Sequence, residues 1–241
     1  MARIMGAFEA LEGSASSFGQ VFVLGGVVVH GDAAATARNI LANEGLFRLG
    51  FASSVLGVVF HIAWAVLFYY LFRPVSRTLS SLATFIILVG CAMQALTAFF
   101  YLSPLLVLQS GHSLSGLNTP QVALALINLN GLAFDIDLTF FGFWCVLAGY
   151  LILRSTFMPR ILGALLMLDG IGWTMYLWPP LATYVFPAIA VVAGLAELPL
   201  QVWLIAFGVN PQRWREQARR SLSRSGLAPG PDLTATSAAA G

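Results

Sequence analysis

Apolar residues run along this chain in blocks long enough to cross a bilayer, separated by short polar joints. A spanning helix needs about 20 mostly apolar residues. By that measure the sequence predicts six helices, over residues 4–29, 49–72, 82–108, 122–153, 161–178 and 186–209. The first is unusually polar in its first half, and the fourth is long enough to tilt or to begin outside the hydrocarbon. Between the first two, HGDAAATARNILANEGLFRLG reads as a short amphipathic surface helix with Asp32 as its cap and Gly45 as its stop. Beyond Asn210, WREQARRSLSR makes a basic interfacial stub, and GLAPGPDLTATSAAAG has the composition of a disordered tail. The predicted fold is therefore all-α: a polytopic six-helix transmembrane bundle over residues 1–209, then a cytoplasmic tail over 210–241. The two halves match neither in loop pattern nor in polar positions, so no inverted repeat is predicted.

Composition agrees. The 241 residues are 59% hydrophobic and 9% charged, with a mean hydropathy of +0.84. A soluble domain carries roughly 25% charged residues. All twelve basic residues are arginine, which excludes a lysine Schiff base of the retinal type. Six crossings place Arg3, Arg73, Arg77, Arg154, Arg160, Arg213, Arg215, Arg219, Arg220 and Arg224 on one side, and only Arg38 and Arg48 on the other. Positive charge marks the cytoplasmic side, so both termini are expected there, in a multi-pass protein of the cell inner membrane. A net charge of +2 gives no reason to expect nucleic acid. Cys91 and Cys145 fall in apolar runs and read as packing thiols. The N-terminus carries carboxylates where a signal peptide has its apolar core.

Charge changes the picture at the acids. Six of the ten acidic residues lie inside apolar segments, and no arginine does. A carboxylate at such depth costs at least ~3 kcal/mol and usually faces a bundle interior. On the first helix Glu9, Glu12, Ser16 and Gln20 lie within about 80° of arc. In NLNGLAFDIDLTFFGFW, residues 128–144, Asp135 and Asp137 stand about 200° apart, so they serve different faces. One is expected to bond neighbouring helices and the other to face a cavity, with the assignment open. Asp169 precedes Trp173 by one turn and Tyr176 by two; Glu197 and Gln201 are four apart, with Pro199 freeing a carbonyl near them. His61 and Gln94 are single polar residues near mid-span, His61 reading as hydrogen-bonded scaffold as readily as ligand. All these groups are compatible with one shared cavity.

With no basic partner inside, several of these carboxyls are expected to be neutral acids at pH 7 or to share protons. A protonated carboxyl is a general acid and an ionised neighbour a general base. Acidic walls and aromatic faces, here Phe134, Phe141, Trp144, Trp173 and Tyr176, stabilise a developing cation. Such a site suits protonation of an alkene or epoxide in a hydrophobic small molecule. Candidate catalytic residues are Glu9, Glu12, Asp135, Asp137, Asp169 and Glu197, with His61, Gln94 and the five aromatics as substrate contacts. No HExxH, ExxH or Cys/His pair predicts a metal, His30 and His112 fall in loops, and neither a glycine-rich phosphate loop nor GxSxG occurs. No cofactor is expected, and loops poor in basic residues disfavour a diphosphate substrate.

The segments GDAAATARNILANEGLFRLGF (31–51), FRPVSRTLSSLA (72–83), FDIDLTFFGFWCVLAGYLILRSTFMPRILGALLML (134–168) and AELPLQVWLIAFGVN (196–210) carry a resemblance. Together they resemble the bacterial membrane family catalogued as domain of unknown function 4386, over nearly all of residues 4–210. The resemblance implies a six-helix bundle and no assigned activity. It also implies acids at Asp135 and Glu197, whereas Glu9, Glu12, Asp137 and Asp169 stand where the family pattern is usually apolar or aromatic. A weaker likeness of type, without a shared motif, is to small membrane-bound terpene cyclases. Three readings stand. The first is an intramembrane enzyme on an isoprenoid-type, lipid-soluble substrate, a cyclase, isomerase or lyase using carboxyl acid–base catalysis. The second is a proton-coupled carrier or cation pathway; the third is a non-catalytic membrane partner or lipid-binding protein. Oligomeric state is left open.

Overall fold

The computed structural model describes residues 1–110 and 116–224, and every regular element among them is helical. The first rod is α1 (Ala2–Ser17), which passes without a break into a π-helical segment, Phe18–Leu24, and a last turn, α2 (Gly25–Val27). Then come α3 (Ala33–Ala42), α4 (Glu44–Phe72), α5 (Arg77–Gln109) and α6 (Thr119–Arg154). They are followed by α7 (Arg160–Thr174), which tightens into a 3₁₀ turn at Met175–Leu177, and by α8 (Pro179–Ala206) and α9 (Pro211–Arg224). Four of these, α4, α5, α6 and α8, are long and apolar enough to cross a membrane. The predicted first and fifth spans are shorter as α-helix, 16 and 15 residues, each lengthened by a π or 3₁₀ segment. The predicted disorder of residues 226–241 and the loop placement of His112 lie outside the described residues.

Local chemistry sets the boundaries. Asp32 caps α3 as predicted, its Oδ1 accepting from the Ala35 amide at 2.8 Å. Gly45, predicted to stop that helix, lies instead inside the first turn of α4. The break falls at Asn43, whose Nδ2 donates to the Asn39 carbonyl at 2.9 Å. Glu44 then starts α4 early, because an acid suits a helix N-terminus and pairs with Arg48 at 2.8 Å. The last long helix likewise begins at Pro179 rather than 186, since proline is pre-shaped for a first helical turn. The basic stub is a formed helix, α9, capped by Asn210 Oδ1 accepting from the Gln212 and Arg213 amides at 3.1 Å.

Both ends of the bundle are tied by long-range contacts. At one end Arg3 Nη2 donates to the Ala206 carbonyl at 3.0 Å, and Trp214 Nε1 to that of Leu71 at 2.9 Å. At the other, Arg48 Nη2 reaches Gln109 Oε1 at 3.2 Å and Asn39 Nδ2 reaches the Val27 carbonyl at 3.1 Å. Two apolar clusters fill the interior. The larger holds Trp64, Phe68, Phe72, Trp144 and Leu204; the smaller holds Val23, Ile40, Phe47 and Tyr101. Large apolar side chains such as Val59, Phe85, Phe99, Ile161 and Tyr184 cover the outside, as suits a lipid solvent.

Glycines let the rods touch. A Cβ at Gly142 would stand 2.9 Å from the Gly170 carbonyl oxygen, and one at Gly149 2.5 Å from that of Gly163. On the first rod, Gly19 packs on Gly50, and the buried Tyr101 hydroxyl donates to the Gly19 carbonyl at 3.1 Å. Within the π segment the backbone ladder is re-registered, so this bond anchors a locally irregular stretch. Tyr101→Phe removes it at a cost of ~1 kcal/mol. The thermal midpoint in detergent is expected to fall about 2–4 °C; an unchanged midpoint removes the hydroxyl from the account of the π segment.

Candidate functional site

The polar stripe of α1 faces inward, where side chains of α4, α5, α6, α7 and α8 meet it. The main lobe of the cavity, about 440 Å³, is lined by Glu9, Glu12, His61, Trp64, Phe141 and Glu197 among others. A second lobe of about 200 Å³ shares Glu12, His61, Phe141 and Glu197, and adds Gln20, Gln94, Phe134, Asp137 and Trp173. Nine of the thirteen candidate site residues border one lobe or the other. The volume is that of a small-molecule site.

Glu12 is its best-ordered acid. Ser16 Oγ donates to Glu12 Oε1 at 2.8 Å, and Gln94 Nε2 donates to the same oxygen at 2.8 Å and to Ser16 Oγ at 3.0 Å. Gln94 Oε1 then has only lone pairs to offer, so His61 Nδ1, 3.2 Å away, carries the hydrogen between them. His61 is therefore tied into scaffold through Gln94 and also lines the cavity, 3.9 Å from Glu12 Oε1.

The two aspartates of α6 part company as their angular separation requires. Asp137 is buried, borders the second lobe, and lies so close to α5 that a Cβ on Gly90 would meet its Oδ1 at 3.0 Å. Asp135 is half-buried, borders neither lobe and lies near Tyr176. Across the cavity, Trp173 Nε1 donates to Glu197 Oε1 at 3.1 Å. Asp169, 0% exposed, stands behind that pair, beside Cys145, Trp173 and Glu197.

Four predicted site residues are thus not cavity walls: Asp135, Asp169, Trp144 and Tyr176 border neither lobe. Trp144 is drawn into the aromatic core instead, its ring centroid 4.5 Å from that of Trp64 and 5.1 Å from that of Phe68. Tyr176 packs on Trp173 with centroids 6.0 Å apart. Trp64 also walls the main lobe, a position not expected from the sequence. It follows His61 by three residues, one helical turn on the same face, and that spacing was its signal.

Several buried polar atoms here have no hydrogen-bond partner: Glu9 Oε2, Asp137 Oδ1, both carboxylate oxygens of Asp169, and the indole nitrogens of Trp64 and Trp144. Buried polar groups are normally satisfied. Three of these atoms, Glu9 Oε2, Asp137 Oδ1 and Trp64 Nε1, belong to residues that border the cavity. Among the described residues, no group of three or more His, Cys, Asp or Glu side chains is arranged to hold a metal ion.

These features define a class: an α-helical bundle with four membrane-length helices and an acid-lined interior cavity. Within it, the chain belongs to the family described as domain of unknown function DUF4386, whose model matches residues 4–208. Searches of curated proteins and of solved structures each returned no match.

Proposed function

We propose that this protein is an intramembrane acid–base enzyme acting on a lipid-soluble, isoprenoid-type substrate by cyclisation, isomerisation or epoxide opening. One observation carries the reading: Glu9, Glu12 and Glu197 converge with Trp64 and Phe141 on a single cavity of about 440 Å³. In the proposed topology all six rods cross the inner membrane and both termini are cytoplasmic. The joining of α1 to the end of α8, and of α9 to the end of α4, supports that arrangement.

Hydrogen bonding divides the labour. Two donors serve Glu12, which suits a proton acceptor; none reaches Glu9 Oε2, which suits a carboxyl that carries the proton. Glu9 gives its proton to an alkene carbon or epoxide oxygen. The resulting cation lies against the faces of Trp64 and Phe141. Glu12 then removes a proton from a carbon beside the cationic centre, closing an isomerisation or cyclisation with no net change in protons. The proton taken up by Glu12 passes back to Glu9 across the cavity that both border, which restores the acid and closes the cycle. A proton-coupled carrier is the second reading, favoured by the π-helical segment that follows the acidic stripe directly, since π turns often mark functional sites.

The test is to express the full chain in a host supplied with polyprenyl alkenes and epoxides, beside Glu9→Gln, and to compare membrane extracts by mass spectrometry. A new product isomeric with its precursor, such as an allylic alcohol from an epoxide, is expected from the wild type and lost at least ~100-fold in the variant. Identical extracts from both chains, with a proton flux in proteoliposomes that Glu9→Gln abolishes, would move the assignment to the carrier.

A further inference from the structure

A second polar cavity lies at the opposite extreme from the acidic one in charge. It occupies about 510 Å³ where α9 crosses the end of α6 and the turn after α4, and it is bordered by Arg154, Arg213, Arg220, Glu216, Thr156 and Pro74 among others. Three guanidiniums face one carboxylate, and among the described residues none of the three is in an ion pair. The platform is held in place. Gln217 Oε1 accepts from the Thr156 amide and hydroxyl at 3.0 Å each, Gln217 Nε2 donates to the Arg154 carbonyl at 3.3 Å, and Trp214 is pinned to Leu71. Arg213 and Arg220 thus come from a fixed α9 and Arg154 from the end of α6; Arg213 Nη1 donates to the Thr156 carbonyl at 3.5 Å and the Arg154 guanidinium lies 5.8 Å from the Tyr150 ring centroid.

We propose that this recess binds the headgroup of an anionic phospholipid. Guanidinium forks match phosphate oxygens two at a time, and arginines without a carboxylate partner favour an anionic over a zwitterionic headgroup. Position selects a lipid as the source. The recess sits at the ends of α4 and α6, where the apolar length of both helices stops, so a lipid whose tails lie along them brings its phosphate to this level. The site is independent of the acidic cavity and of any chemistry there.

Full-length protein in detergent is stripped of lipid, offered phosphatidylglycerol or phosphatidylcholine, and examined by native mass spectrometry. Retention of the anionic lipid is expected to be about tenfold the greater. Each arginine near an anionic headgroup is worth about fivefold in affinity. Arg213→Gln with Arg220→Gln is thus expected to weaken retention on the order of 20-fold. Arg215→Gln with Arg219→Gln removes equal charge from α9 outside the recess and is expected to change it less than threefold. Equal losses from both pairs, or equal retention of both lipids, overturn the proposal. So does release of the bound lipid by millimolar inorganic phosphate, which marks a site for soluble anions. If the glutamine pair does not fold, Arg213→Lys with Arg220→Lys keeps the charge and loses the fork; wild-type retention there also overturns it.

Discussion

Glu12→Gln is expected to lower turnover by at least ~100-fold while leaving the folded protein intact, the range a general acid–base residue contributes. The argument rests on what glutamine keeps. Its Oε1 still accepts from Ser16 and Gln94, the two donors that hold Glu12 at 2.8 Å, so the link from α1 to α5 survives. What goes is the capacity to receive a proton. Ser16→Ala is the counterpart: it removes one donor, leaves the carboxylate, and is expected to cost about 1 kcal/mol, a factor of roughly five. Turnover and thermal midpoint measured side by side separate the two roles. A Glu12→Gln protein that turns over substrate as the wild type does would confine Glu12 to scaffold and end its role as base. One that instead loses its thermal midpoint would show the cluster to be chiefly a tie between helices.

That cluster shows which parts of the molecule were readable from residue order. The inward stripe of α1 was readable because helical periodicity alone puts Glu9, Glu12 and Ser16 on one face. His61 and Gln94 stood out as isolated polar groups in apolar runs. Their mutual bonding was not readable, since Gln94 meets Glu12 across 82 residues of chain and no local pattern encodes that meeting. Asp135 and Asp137 could be assigned to opposite faces, but only the packing of α6 against Gly90 turns Asp137 inward. Trp144 was misplaced for a related reason: an aromatic beside acids in sequence is drawn by its own face of the helix into the core with Trp64 and Phe68. The π segment gave no warning either. FGQVFVL carries no residue that demands a wider turn, and Tyr101, whose hydroxyl anchors it, lies on α5. Gly45 was read as a stop by residue type, whereas Asn43 could cap from its side chain and Glu44 favoured a new start.

Gly149→Leu is expected to abolish recovery of monodisperse folded protein, the largest stability effect in the chain. Gly142 and Gly149 are seven residues apart on α6, two helical turns, and meet Gly170 and Gly163 at the same spacing on α7. Lipid supplies no hydrophobic drive between helices, so their association rests on close backbone approach through small residues. At Gly149 a single added carbon would lie 2.5 Å from both the Gly163 carbonyl oxygen and Met167 Cγ, so even Gly149→Ala must push the helices apart. Overpacking of that kind costs about 1–3 kcal/mol, a fall of roughly 2–12 °C in thermal midpoint; leucine exceeds what the interface can absorb. Gly194→Ala on α8, where nothing lies within 4 Å, is the matched control. It should be neutral or stabilising by up to ~1 kcal/mol, from helix propensity alone. The consequence reaches the acidic cavity, because α7 carries Asp169 and Trp173, and Gly142 bears directly on Trp173. Gly142→Ala is accordingly expected to disturb the bond from Trp173 to Glu197 as well as stability, visible as a shift in tryptophan emission. If Gly149→Ala and Gly194→Ala prove equally stable in detergent, α6 and α7 do not meet through their glycines, and the placement of Asp169 behind Glu197 falls with them.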